Sequence, residues 1–175
     1  NTSTGDVSLS STTGNISLQG VSEATAAFNW SHGLAVVLSG GDDLSITSTT
    51  GDISLLGDAT NAAQQSGEAV GIVVQLDSGS NTPEQFNVST DGGAITWSGQ
   101  SGHSGGDDGL ALRSRAVSDG GSGSITIGDN NTGDITFKIG SLQTADQDAD
   151  AIAIESASNV VFEGPGSNNF STAIT

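Results

Sequence analysis

The sequence predicts an all-β protein, and within that class a right-handed parallel β-helix, a three-sided solenoid of about four and a half coils of about 40 residues. Three observations support this prediction. A short Gly-Asp-Ile-Ser-Leu motif recurs along the chain, apolar and polar residues alternate with a period of two, and two further strand patterns return once in each unit. We expect residues 1–175 to form one such domain, and to be a segment of a longer repeat protein because the chain opens inside a copy of the motif.

The recurring motif predicts the strand that we call strand C. Its copies occupy residues 14–18, 51–55, 93–97, 133–137 and, in degenerate form, 168–171. The central apolar residues of these copies lie 35 to 42 residues apart, at Ile16, Ile53, Ile95, Ile135 and Phe170. Four copies begin with glycine, which predicts a corner with a tight bend or a positive φ before the strand.

Two other patterns predict strands A and B. Strand A, with a large, small, large pattern, is expected at residues 34–36, 70–72, 110–112 and 152–154, and strand B at 44–46, 86–88, 125–127 and 160–162. Each strand type returns once per unit, which disfavours hairpins and favours parallel stacking of like strands about 4.8 Å apart. The right-handed coil follows from the chirality of parallel crossovers.

The composition excludes several classes of partner. The chain carries 20 acidic residues against 3 Lys and Arg, a formal net charge of −17, so it has no basic patch for nucleic acid or for an anionic membrane surface. The absence of cysteine excludes disulfides and Cys-ligated metals. No stretch has the length and apolar character of a membrane span, so we expect no membrane insertion.

The strand and turn motifs resemble a known family. The T-G-D/N-I-S/T-L/F strands, the Gly/Asn/Asp/Ser-rich loops, the G-I/L-A/V-V/L strands and the S-x-T-G turns are similar to the β-helical repeats of large secreted bacterial adhesins of the filamentous haemagglutinin type. This resemblance covers essentially the whole chain. It implies an extracellular or cell-surface rod used in adhesion, contact or matrix building, and it brings no catalytic residues.

Carboxylates before strand A suggest a cation site. Stacking the units places His32, Glu68, Asp108 and Asp150 in one column two residues before the first apolar position of strand A. Stacked carboxylates repel one another, and calcium, which takes six to eight oxygen ligands, would relieve this repulsion. The candidate calcium ligands are Glu68, Asp107, Asp108, Asp146, Asp148 and Asp150. Solvated carboxylates that bind no metal are the alternative.

The outward positions of strand A suggest an interface. The predicted column consists of small residues, Ala35, Gly71, Ala111 and Ala153, with Val37 and Val73 beside it. A free surface normally carries charge, so a flat, partly apolar face predicts that something packs on it. The long loops or a neighbouring molecule would fill this role.

Catalysis and carbohydrate binding are the remaining alternatives. Only Arg113, Arg115 and Lys138 could serve as basic groups, and no catalytic groove can be built from them, so we expect no enzyme activity. Trp30 is the candidate for stacking on a sugar ring, while Trp97 has the parity of a core residue. Candidate glycosylation sequons include Asn15, Asn29, Asn87, Asn130 and Asn169.

The sequence therefore predicts a non-enzymatic structural or adhesive rod that is secreted or displayed at a cell surface. Its expected partners are other copies or flanking repeats of the same protein, and host or matrix glycans. Two alternatives stay open. One is an extracellular filament subunit that stacks through open β-helix ends or through the strand A face, and the other is a carbohydrate-binding module.

Overall fold

The computed structural model describes ten segments of the chain. They are residues 5–23, 31–60, 69–78, 84–101, 109–116, 123–129, 131–141, 152–156, 159–162 and 168–174. For residues 77–78, 113–116, 139–141 and the three segments after residue 151, the description covers the backbone alone.

The described residues form fourteen β-strands and contain no helix. In chain order these are β1 Val7–Ser11, β2 Ile16–Val21, β3 Leu34–Ser39, β4 Asp43–Ser48, β5 Ile53–Ala59, β6 Ile72–Ser78, β7 Gln85–Thr90, β8 Ile95–Ser101, β9 Leu110–Ala116, β10 Ser124–Ile127, β11 Ile135–Ser141, β12 Ile152–Ser156, β13 Asn159–Phe162 and β14 Asn168–Ile174. The prediction of an all-β chain is confirmed.

The strands assemble into three sheets in which every neighbouring pair is parallel. Sheet A has the order β12-β9-β6-β3, sheet B the order β1-β4-β7-β10-β13, and sheet C the order β14-β11-β8-β5-β2. Each sheet thus takes one strand from successive units. We number these units repeat 1 (β1–β2), repeat 2 (β3–β5), repeat 3 (β6–β8), repeat 4 (β9–β11) and repeat 5 (β12–β14).

All three sheets contribute to one apolar core. In β5 the burial alternates strictly, with Ile53 and Leu55 fully buried and Ser54 partly exposed between them, as the period of two predicts. The largest core side chain, Trp97, packs edge-on against Phe86 of sheet B and stacks on Phe137 of sheet C, each at a centroid distance of 6.0 Å. The prediction that Trp97 belongs to the core is therefore confirmed.

The register corrects two predicted alignments. Leu34 pairs with Ile72, not with Val70, so the strand A copy of repeat 3 begins two residues later than the sequence suggested. Phe170 pairs with Phe137, not with Ile135. Both errors are shifts of two residues, which leave each side chain on the same face of its strand.

The corner between sheets B and C repeats one hydrogen-bond pattern. In repeat 2 the Gly51 N–H donates to Ser48 Oγ at 2.9 Å, and Ser48 Oγ donates to the carbonyl of Gly14 in the neighbouring repeat at 3.4 Å. Thr90 makes the same two contacts in repeat 3. A hydroxyl three residues before glycine thus links its own corner to the adjacent repeat.

Close approach explains the glycines at this corner. A Cβ on Gly51 would lie 2.2 Å from the Gly14 carbonyl oxygen, and Gly93 and Gly133 would meet the preceding glycine in the same way. Positive φ angles among the described glycines occur elsewhere, at Gly40, Gly41 and Gly128. Of the two predicted reasons for glycine at this corner, a tight bend or a positive φ, the positive φ is not found at Gly51, Gly93 or Gly133. These glycines make room for the neighbouring backbone.

The corner of repeat 4 is a variant of this pattern. It contains one more residue than the equivalent corners, and Gly128 adopts a φ of 82° within it. Asn131 replaces the hydroxyl residue: its Oδ1 accepts from Gly133 N–H at 3.3 Å, and its Nδ2 donates to the Gly133 carbonyl at 2.7 Å. The longer side chain thus binds the same glycine despite the extra residue.

A second glycine contact joins the end of sheet C to the start of sheet A. A Cβ on Gly57 would lie 1.9 Å from the carbonyl oxygen of Gly71, and one on Gly71 would lie 2.3 Å from Gln100 N. The Gly71 carbonyl accepts from Leu34 N–H at 2.9 Å. Strand ends from two sheets therefore interlock on either side of residues 61–68.

Candidate binding surfaces

The outer face of sheet A divides into an exposed part and a buried part. Ala35 is exposed and Val37 is 57% exposed. In the next strands Val73 is 2% exposed and Ala111 is fully buried, and both join Val70 in a small cluster separate from the main core. The single chain thus covers much of this face without a second molecule.

This division reshapes the predicted interface. Ala35 pairs with Val73, and Val73 pairs with Ala111, so Gly71 does not belong to the outward column and lies at the corner between sheets C and A instead. Ala153 pairs with Ala111 along the backbone, and its side chain lies outside the description. Of the six predicted interface residues, Ala35 and Val37 are the ones whose side chains are described as exposed, so a partner could contact them.

The candidate calcium ligands lie outside the described residues. This applies to all six carboxylates: Glu68, Asp107, Asp108, Asp146, Asp148 and Asp150. His32 is described, and its Nδ1 accepts from Val70 N–H at 3.3 Å. Within the described part of the chain, no three His, Cys, Asp or Glu side chains are grouped to hold a metal.

Several described carboxylates accept hydrogen bonds from the backbone of an adjacent repeat. Asp43 Oδ1 accepts from Gln85 N–H at 2.8 Å, and Asp52 Oδ1 accepts from Ala94 N–H at 2.9 Å. The amide of Asn15 does the same for Asp52 N–H at 2.8 Å. Part of the acidity of the chain therefore stabilises the stacking of repeats, because an ionised acceptor strengthens a hydrogen bond.

Glu84 is a buried carboxylate that the sequence did not single out. It is fully buried; its Oε1 accepts from Gly41 N–H at 3.2 Å, and its Oε2 has no hydrogen-bond partner. Its position in the repeat could have indicated it, because an acidic residue directly precedes a strand of sheet B in both cases: Glu84 precedes β7, and Asp42 precedes β4. That position faces a turn with two positive-φ glycines, Gly40 and Gly41.

A hydroxyl-lined hollow follows the outside of sheet B and its corner with sheet C. Its volume is about 340 Å³, and its lining consists of Ser10, Ser11, Thr12, Thr47, Ser48, Thr49, Ser89 and Asp91. These groups can hydrogen-bond water or a polyhydroxylated ligand. The lining offers no aromatic ring for stacking on a sugar.

A smaller hollow of about 240 Å³ lies along sheet C next to the interlocking glycines. It is lined by Gln19, Gly20, Leu56, Gly57, Asp58, Ser98 and Gln100. Asp58 also accepts from Thr60 N–H and Thr60 Oγ1 at 2.9 and 2.6 Å. One carboxylate oxygen in this hollow thus stabilises the turn that leaves sheet C.

The remaining predicted sites divide between described and undescribed residues. Trp30, Asn29 and Asn130 lie outside the described residues, and Asn169 is described only as backbone in β14. Asn15 is exposed, as glycosylation requires. Asn87 is partly exposed, but its Oδ1 is buried and has no hydrogen-bond partner.

The amino-terminal face of the stack exposes residues that are core residues elsewhere. We define this face by Val7, Leu9, Ser11, Gly14 and Leu18. Val7 is 52% exposed and Leu9 is 37% exposed, whereas Ile46, the partner of Leu9 in the next strand, is fully buried. The strands β1 and β2 also form the ends of their sheets.

The fold and these surfaces define an all-β protein of parallel strands in three sheets, with hydroxyl-lined and small apolar outer surfaces and an apolar amino-terminal face. Within the described residues, no helix is long and apolar enough to span a membrane. No family model matches the chain, and neither does any curated protein or solved structure.

Proposed function

We propose that the chain is a segment of a right-handed, three-sided parallel β-helix and serves as a non-enzymatic structural or adhesive rod of a secreted or cell-surface protein. The observation that carries this proposal is the in-register parallel pairing of like strands through successive repeats. A solenoid is the simplest path for a chain that contributes one strand to each of three parallel sheets per repeat.

The shared core supports closure of the three sheets around one interior. Leu76 of sheet A, Phe86 of sheet B and Trp97 of sheet C are fully buried members of one apolar cluster. Two sheets packed face to face would leave the third outside such a cluster. Right-handed coiling follows from the general preference of parallel crossovers.

The use of polar groups supports a structural role. Ser48, Thr90, Asp43 and Asp52 all bond to the backbone of a neighbouring repeat. Such ladders give a rod its register, while exposed loops and faces remain for contact with a surface or a glycan. The resemblance to filamentous haemagglutinin-type repeats is the basis for proposing an extracellular location.

Small-angle X-ray scattering tests the architecture. Five levels about 4.8 Å apart give a stack about 25 Å high with a compact triangular cross-section. Scattering that requires a flat, open assembly of sheets would contradict the β-helix.

Binding and turnover measurements test the function. The purified chain should bind host cells, matrix or a glycan array, or act only as a spacer, and it should release no product from a panel of polysaccharides with or without calcium. Cleavage of any of these polysaccharides would overturn the non-enzymatic role.

A further inference from the structure

Glu84 is a fully buried carboxylate with one oxygen left without a hydrogen bond. Its side chain has an exposed fraction of 0%. Oε1 accepts from Gly41 N–H at 3.2 Å, whereas Oε2, which is also buried, has no hydrogen-bond partner among the described residues. Burial of a charged oxygen without a partner is costly, and buried charges in proteins are normally paired or coordinate a metal. Glu84 Oε2 therefore has the capacity to bind a further group.

Glu84 lies at the corner between sheets A and B and faces the interior. It stands two residues before the fully buried Phe86, on the same side of the strand by the alternation of β7. By the register of β10 with β7, Gly123 holds the equivalent position in the next repeat. A Cβ on Gly123 would lie 2.7 Å from Leu76 Cδ1 and 2.8 Å from the Glu84 carbonyl oxygen. The next repeat thus places no side chain over the carboxylate, and the neighbouring side chain from sheet A is apolar.

Asp42 is the second carboxylate of this corner. Asp43 pairs with Gln85, so Asp42 precedes its strand at the position equivalent to Glu84, one repeat away. Its Oδ1 accepts from Gly5 N–H at 2.8 Å, and the residue is partly exposed. Equivalent positions in paired strands are about 4.8 Å apart, so two ionised carboxylates stacked there repel each other. The pair also extends from the interior to the surface, which gives a solute a path to Glu84.

No basic side chain of repeats 2 and 3 can neutralise this pair. Residues 33–102 contain no Lys, Arg or His. The Lys and Arg residues of the chain are Arg113, Arg115 and Lys138, all of which lie in repeat 4. The residue of repeat 4 stacked on Glu84 is a glycine. Compensation of the buried charge therefore calls for a small cation that can enter the corner.

The turn beside Glu84 suits a calcium ion. Gly40 and Gly41 connect β3 with β4 at φ angles of 76° and 86°, and the bond from Gly41 N–H shows that this turn passes directly beside the carboxylate. Calcium takes six to eight oxygen ligands and accepts backbone carbonyls and water together with carboxylates. Two carboxylates and a turn backbone thus meet its requirements without a third acidic side chain.

We propose that Glu84 and Asp42 bind a calcium ion at the corner between sheets A and B, with Glu84 Oε2 as the inner ligand. The ion links repeat 2 to repeat 3, because each repeat contributes one carboxylate. This site is separate from the calcium ligands that the sequence predicted before strand A, and it does not depend on whether the rod is adhesive. With two carboxylate ligands, its dissociation constant should be about 10⁻⁴ to 10⁻³ M, the range of extracellular calcium modules.

Thermal unfolding in EDTA and in millimolar calcium, combined with calorimetric titration of calcium, tests the proposal. Calcium should raise the unfolding temperature of the wild-type chain by several degrees, because a ligand of the native state stabilises it. Glu84→Gln keeps an oxygen for Gly41 N–H but removes the charge. It should match or exceed the wild type in EDTA, since it buries no unpaired charge, and it should bind calcium at this site about tenfold more weakly or worse.

Asp52→Asn is the matched control. Asp52 also accepts a hydrogen bond from the backbone of the adjacent repeat, through Oδ1 to Ala94 N–H, but it lies beyond the opposite end of β4 and is exposed. Asparagine fits this position, because Asn15 makes the equivalent bond in repeat 1. The variant loses the same unit of charge as Glu84→Gln and should respond to calcium like the wild type.

Asp42→Asn provides a second test on a partly exposed residue, so it does not depend on a change in the core. It keeps an oxygen for Gly5 N–H and should also weaken calcium binding. Calcium bound by carboxylates elsewhere in the chain would persist in both variants. A wild-type unfolding temperature that ignores calcium, or a calcium response that is undiminished in Glu84→Gln and Asp42→Asn, would overturn the site.

Discussion

Repeats 1 and 2 carry the same motif in two different settings. The strand residues of the two copies, 16–18 and 53–55, pair one to one, Ile16 with Ile53 and Leu18 with Leu55. Ile53 and Leu55 are fully buried, whereas Ile16 and Leu18 are only partly buried. The difference lies in the neighbours, since β5 has a strand on either side and β2 has one on a single side. A motif in a repeat protein therefore gains most of its stabilising effect from the repeats beside it.

The largest difference in stability between equivalent substitutions in repeats 1 and 2 should come from a charged residue at the central apolar position of the motif. Ile53→Asp should lower the free energy of unfolding by about 4 kcal/mol or more, because an unpaired carboxylate would be enclosed by apolar side chains. Ile16→Asp, at the open end, should cost about 1 to 2 kcal/mol because water can reach the carboxylate. Urea denaturation measures both. Equal losses would contradict the comparison, and a silent Ile53→Asp would contradict the core.

A cavity should produce the next largest difference. Ile46→Ala should destabilise the fold by about 3 kcal/mol, the range typical of a buried aliphatic side chain truncated to alanine. Its partner Leu9 is already 37% exposed, so Leu9→Ala should cost about 1 kcal/mol. Thermal and urea unfolding in dilute solution would show whether Ile46→Ala lowers the free energy of unfolding more than Leu9→Ala does. A larger loss for Leu9→Ala would indicate that another part of the chain covers the amino-terminal face.

The corner glycines allow a finer test. Gly51→Ala should destabilise by about 2 kcal/mol, because its Cβ forces the neighbouring backbone to shift. Gly14→Ala should change the stability of the dilute monomer by less than about 0.5 kcal/mol, since the Ser11 hydroxyl is its nearest neighbour and can rotate. Urea denaturation of both variants in dilute solution compares the two losses. A comparable loss at Gly14 would mean that this glycine already has a neighbour within the chain.

The smallest effect concerns the corner hydroxyls. Ser48→Ala should cost about 1 kcal/mol, because it removes the acceptor for Gly51 N–H and the donor to the Gly14 carbonyl. Ser11→Ala removes one bond at an exposed corner and should cost about half as much. A double-mutant cycle with Gly14→Ala would detect any coupling across the ladder.

The corner between sheets B and C was largely predictable. Recurrence of a glycine before Ile53 and its equivalents located the corner in the sequence, and alternation placed Ile53 and Leu55 in the core. The physical role of the glycine was not predictable, because close approach of a second backbone depends on the stacking distance between repeats. A positive φ and a close approach select the same residue type.

The corner between sheets C and A was missed for a specific reason. Sequence pattern aligned Val70 with Leu34, whereas the strands align Ile72 with Leu34. A shift of two residues preserves the face of every side chain, so alternation cannot detect it. Gly71 was consequently assigned to an outer surface when it belongs to a backbone contact with Gly57.

The candidate interface on strand A shows a second limit of sequence periodicity, which does not reveal which parts of a surface the rest of the chain covers. The small and apolar outward positions of strand A predicted that something packs on this face, and within the chain Val73 and Ala111 are buried. Nothing in the local pattern distinguishes these residues from the exposed Ala35 and Val37. Coverage depends on which parts of the chain return to that face, and periodicity carries no such information.

The corner between sheets B and C and the corner between sheets C and A differ in how much insertion they accept. Between the strand positions equivalent by register to Leu44 in sheet B and Ile53 in sheet C, the spacing is 9 residues in repeats 1 to 3, 10 in repeat 4 and 8 in repeat 5. From the sheet C position to the equivalent of Leu34 in the next strand of sheet A, it ranges from 15 to 19. The hydroxyl–glycine ladder explains why the spacing between sheets B and C varies so little. In repeat 4, where this spacing has one extra residue, Asn131 takes the place of the hydroxyl residue and Gly128 has a positive φ. The interlocked Gly57 and Gly71 instead fix both stems around residues 61–68. Peptides exchanged for residues 61–68 should therefore leave the register of the flanking strands unchanged.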